Sequence, residues 1–148
     1  MAYSDLTPEQ KKILEANNQK PFANHNRLKE LFLSVDEVVI KEGGVYNDKA
    51  IGQEIGVAFR SAVDISELAE RLQIEEPKEV HYCMCTGCYA IELYSRAKLK
   101  ATIGLHHGKA IRYEGWKGDA DLSDGKELLE WLAVKGYEEP LLDFERHQ

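Results

Sequence analysis

The chain has 148 residues, 19 basic and 26 acidic side chains, a net charge of −7 and 43% hydrophobic residues, which suits one domain able to bury its core without disulfide staples. The acidic balance speaks against a nucleic-acid or anionic-membrane surface, because phosphate recognition rests on clustered Lys and Arg. No stretch approaches the ~20 apolar residues of a membrane span, and residues 1–18 carry no signal-type apolar segment, so a cytoplasmic protein with reduced cysteines is expected.

In chain order, Thr7-Pro8-Glu9-Gln10 reads as a helix start. Thr7 can cap, Pro8 suits the first helical position and Gln10 completes a capping box. That helix should run to about residue 16, and Asn24 or Asn26 should cap a second, short helix ending at Phe32. Residues 36–42 (DEVVIKE) and 51–60 (IGQEIGVAFR) read as strands, the second from the period-two spacing of Ile51, Ile55, Val57 and Phe59. Residues 64–74 predict a helix capped by Asp64 or Ser66, with Ile65, Leu68 and Leu72 on its apolar stripe. From residue 79 onward four strands follow at hairpin spacing: EVHYCMC, YAIELYS, LKATIGLHH and KAIRYE. Residues 124–135 predict a last helix, capped by Ser123 or Asp124 and closed by Gly136. The sum is an α+β fold: one domain over residues 1–148, with a helical part at 1–33 and an α+β core at 36–137. Its sheet should be a single antiparallel one, mainly a meander, with helices packed on one face.

The three cysteines fall within six residues, in His81-Tyr-Cys83-Met-Cys85-Thr-Gly-Cys88. On a strand, His81, Cys83 and Cys85 would share one face. Cys88 follows a glycine turn, and His106 and His107 lie two strands on. Thiolates and imidazoles in sets of four are what zinc prefers, so Cys83, Cys85, Cys88, His106, His81 and His107 are the candidate zinc ligands. The plainer alternative is packing, since free cysteine behaves as a small buried hydrophobe. Alternation along residues 99–107 places His107 on the apolar side and His106 on the polar side. Arg112, Trp116, Asp119 and Asp121 could line a rim beside His106 and, with it, form a ligand- or partner-binding surface; a solvated turn is the alternative. A cysteine nucleophile with His106 and Asp119 can be drawn but nothing in the spacing demands it. The Cys85-Thr-Gly-Cys88 pair runs into a strand-like segment rather than the helix of a redox site.

The segments CMCTG and IELY, ATIGLHHGKAIRYEGWKGDADL and LLEWLAVKGY resemble a group of small bacterial proteins with no assigned activity. They share C-x-C-x-G, an HHG turn, a tryptophan and an L-x-x-W-L-x-x-x-G helix. The likeness covers residues 82–137. It implies a bacterial, cytoplasmic, single-domain protein. The position of Cys88 is often acidic in that group, which implies that Cys88 is a local departure. Two functions are expected from all this. The first is a non-enzymatic binding module, such as an immunity-type or regulatory protein, whose acidic surface steers a basic protein partner. The second is a zinc- or thiol-dependent protein built on Cys83, Cys85 and His106.

Overall fold

The computed structural model describes residues 3–147. After a 3-10 turn at Tyr3–Asp5 come helices α1 (Pro8–Gln19) and α2 (His25–Phe32). The capping box is present: Thr7 Oγ1 accepts the Gln10 N–H at 3.1 Å, and Gln10 Oε1 accepts the Thr7 N–H at 2.9 Å. Asn24 caps α2 by accepting from the Arg27 N–H. Strands β1 (Glu37–Glu42), β2 (Val45–Tyr46), β3 (Lys49–Ala50) and β4 (Ile55–Phe59) precede α3 (Ala62–Arg71). The α3 cap is Ser61, three residues ahead of the expected Asp64. Then follow β5 (Tyr89–Ser95), β6 (Lys98–His106), β7 (Ala110–Arg112), β8 (Ala120–Asp121), α4 (Gly125–Val134) and α5 (Glu139–Arg146).

The expected α+β class and antiparallel sheet are both present. Six strands lie in the order β4-β1-β5-β6-β7-β8, with β2 and β3 as a separate small hairpin. Strands β5 to β8 form the meander, and β1 pairs antiparallel with both β4 and β5. Two differences come from local chemistry. The strand expected at 51–60 begins only at Ile55, and both Ile51 and Ile55 are exposed, at 51% and 60%. Helix α5 was missed, although Pro140 in its first turn is a start signal.

The pairing registers divide the sheet into two faces. Val38, Ile40, Ile91, Leu93, Ile103, Leu105 and Ile111 share one face. They join Leu28 of α2, Ile65 and Leu68 of α3, and Leu128, Leu129 and Leu132 of α4 in a single core. At ~25 cal/mol per Å² of apolar surface removed from water, this burial is the main force holding helices to sheet. The opposite face carries Lys41, Glu92, Thr102, Gly104, His106 and Arg112. It is polar but not open: Glu92, Thr102 and His106 are all buried, and Glu92 is paired with Lys41 at 3.1 Å. The candidate chemistry lies on this second face. No helix among the described residues is long and apolar enough to cross a membrane.

Candidate metal centre

Residues 75–88, which include the expected strand at 79–85, form no strand. The reason is where their backbone groups find partners. The Cys83 N–H donates to Asp119 Oδ2 at 2.7 Å. Arg112 donates to the Cys83 carbonyl at 2.6 Å and to the Cys85 carbonyl at 3.1 Å. The His81 carbonyl accepts the Asp119 N–H, the Thr86 carbonyl accepts the Val45 N–H, and the Cys88 N–H donates to the Leu105 carbonyl. A guanidinium and a carboxylate therefore take the place of a neighbouring strand. Gly44 makes the crossing feasible: a Cβ there would lie 2.1 Å from the Thr86 carbonyl oxygen.

The loop is laid across the second face so that its cysteines meet β6. Cys83 Sγ is 2.9 Å from Cys85 Sγ, and Cys85 Sγ is 3.2 Å from His106 Nδ1. The sulfur–sulfur distance is far beyond the ~2.05 Å of a disulfide, and all three cysteines are free. The ligand atoms of Cys83, Cys85 and His106 all lie within 4.8 Å of one another. Tetrahedral zinc holds sulfur at ~2.3 Å and nitrogen at ~2.0 Å, so its ligand atoms stand roughly 3.5–3.8 Å apart. The two contacts are shorter than those spacings, so an ion would be seated by the thiols moving apart.

Arg112 and Asp119 hold this arrangement. Asp119 is 3% exposed and takes two bonds from Arg112, Nε to Oδ1 at 2.5 Å and Nη2 to Oδ2 at 2.9 Å. Such a bidentate fork fixes orientation as well as charge. Its bonds to Asp119 raise the Arg112 pKa further. The contact with Cys85 draws the Cys83 thiol down toward thiolate, whereas burial pushes the Cys85 thiol up. Burial, reinforced by the Arg112 charge, pushes His106 down to about 4, so its imidazole is neutral near pH 7. A thiolate donor and a neutral imidazole are the forms that bind metal.

The other sequence candidates are placed as follows. His106 lies on the polar face, as expected, but is buried rather than open to solvent, and His107 does not take its expected place on the apolar side. His106 is 2% exposed and closes β6 on the polar face, while His107 is exposed in the turn with a φ of 56°. His107 and Gly108, both at positive φ, are the centre of the three-residue turn closed by the Lys109 N–H on the His106 carbonyl, which takes His107 out of the strand's alternation. His107 Nε2 still reaches Cys85 Sγ at 3.4 Å, and its Nδ1 stands 3.8 Å from Cys88 Sγ. His81 contributes its backbone carbonyl. Trp116 is buried at 4% against Tyr113, and Asp121 is exposed on β8.

Beside the centre lies a cleft of about 400 Å³. Its lining includes Thr102, Gly104 and His106 from β6, together with Tyr46, Tyr82, Tyr113 and Trp116. Sequence reasoning missed Thr102 and the tyrosines, because nothing local marks residues so far apart in the chain as neighbours. A smaller cavity of about 130 Å³ lies on the other side of the β6–β7 turn, lined by Cys88, His107 and Phe144 among others. Searches against known protein families, curated proteins and solved structures give no match.

Proposed function

We propose that this chain is a zinc-binding protein whose ion is held by Cys83, Cys85 and His106. The observation that carries the reading is the convergence of two thiols and a neutral imidazole within 4.8 Å. Two sulfurs and one nitrogen form a donor set that zinc favours, and three protein ligands leave the fourth tetrahedral position for water or a small ligand. The Arg112–Asp119 pair supports the same reading, since it braces the ligand-bearing loop from behind. Of the surface expected from the sequence, His106, Arg112 and Trp116 line the cleft, whereas Asp119 is buried in its pair with Arg112 and is not available to the basic protein partner expected from the net charge.

Native mass spectrometry of untagged protein, prepared in reducing buffer without chelator, tests the proposal. One zinc ion per chain, lost on denaturation, is the expected result. Cys83→Ser should lose the ion and keep the native circular dichroism spectrum. A wild-type chain that takes up no zinc, or a Cys83→Ser variant that keeps it, would sink the reading.

A further inference from the structure

The larger cleft meets the metal centre through one imidazole. His106 turns Nδ1 toward Cys85 Sγ, while its Nε2 lies 3.2 Å from where a Cβ on Gly104 would sit. Gly104 and His106 both line the cleft, so the second ring nitrogen faces its floor. Thr102 precedes them on the same face of β6. It is 1% exposed, and its hydroxyl has no hydrogen-bond partner among the described residues. A buried hydroxyl left unpaired costs about 1–3 kcal/mol, so a group that reached this floor would relieve it. The absence of a side chain at Gly104 lets the His106 ring lie back over the strand toward Thr102, since a Cβ there would crowd its Nε2 and Cδ2 at 3.2 and 3.6 Å. Around it, Tyr46, Tyr82, Tyr113 and Trp116 supply aromatic surface.

We infer that the cleft binds a small, neutral, planar aromatic molecule bearing a carbonyl, with the carbonyl directed at Thr102 and His106, and that zinc strengthens this binding. The aromatic walls suit a flat ring through offset or edge contacts. The floor suits an acceptor: zinc on Nδ1 obliges the remaining proton to sit on Nε2, which makes that nitrogen a fixed donor. Without zinc nothing pins the proton to Nε2: the tautomer with its proton on Nδ1, directed at the Cys85 sulfur, presents a bare acceptor that repels a carbonyl. A neutral ligand fits the charges present. Asp48 and Glu114 line the cleft together with Lys20, and the Arg112 guanidinium is taken up by Asp119 and by the Cys83 and Cys85 carbonyls. The zinc dependence rests on the metal assignment above; the ring and Thr102 dependence does not.

The test is an NMR titration of the full chain, zinc-loaded and zinc-free, with benzamide and with acetamide. Benzamide should shift the amides of Thr102 and Gly104 and bind about tenfold more tightly than acetamide, as expected for burying one ring. It should bind about fivefold more tightly to the zinc-loaded chain, and Thr102→Val should weaken it. Benzamide that binds no better than acetamide, or that shifts residues outside the cleft, overturns the assignment of the cleft. Equal affinity with and without zinc overturns the coupling. A chain that takes up no zinc defeats the metal assignment instead, and the comparison of the two amides on that chain still decides the cleft.

Discussion

Asp119 shows how much one carboxylate organises. It accepts the Cys83 N–H and both arms of the Arg112 fork from a site with almost no solvent. Asp119→Asn keeps the shape but leaves the guanidinium without its counter-charge. Breaking a buried pair in this way should cost about 3 kcal/mol in urea unfolding, and zinc affinity should fall about 10–100-fold because the loop loses its brace. Unchanged stability would show the pair to be incidental. Both residues stood out in the sequence, but as a surface rim. Alternation does point Arg112 away from the core face; what it could not tell is that the face it points to is covered by residues 81–88. His106 teaches the same lesson, buried on that covered face, whereas His107 leaves the alternation because the strand period ends where the turn begins.

At the scale of elements, helices α1 to α4 were legible from their caps and breaks and the meander from its hairpin spacing, while α5, which has no side-chain cap, was not. The segment at 79–85 was not, because its alternation of apolar and polar residues is real but its backbone is satisfied by Arg112 and Asp119 rather than by a strand. Cys83 and Cys85 nonetheless converge, as the strand reading expected, for a different reason. The β5–β6 hairpin turns through Arg96 and Ala97, at φ of 53° and 65°. Such a turn favours glycine, and a side chain in the left-handed region costs about 1 kcal/mol. Ala97→Gly should therefore raise the urea midpoint by the equivalent of about 1 kcal/mol. A lower midpoint would mean that unfolded-state entropy outweighs the relieved strain.

Over the whole molecule, one sheet face packs helices and the other carries the polar groups. Where the two regions meet the C-terminal helix, Tyr89 donates to Asp143 and stacks edge-on against Tyr137. Burial, and then Asp143, raise the Tyr89 pKa, and burial pushes Tyr137 up to about 12. In the unfolded chain these phenols release protons near pH 10. Their contribution is thus complete below pH 10 and is lost as pH rises through about 12. Phenolate absorbance should then rise together with the loss of circular dichroism, and a smooth rise that precedes unfolding would contradict the burial of these rings. The loop of residues 81–88 has a consequence of another kind. Its sulfurs and the imidazole of His106 come from either side of the β5–β6 hairpin, so an ion shared between them is a clasp across the middle of the sheet. An unfolded chain offers the neighbouring thiols but rarely the distant imidazole, so the ion is worth more to the folded state. Adding a chelator should lower the melting temperature of the entire molecule in one cooperative transition, and the loop with least regular structure would then set how much heat the sheet withstands.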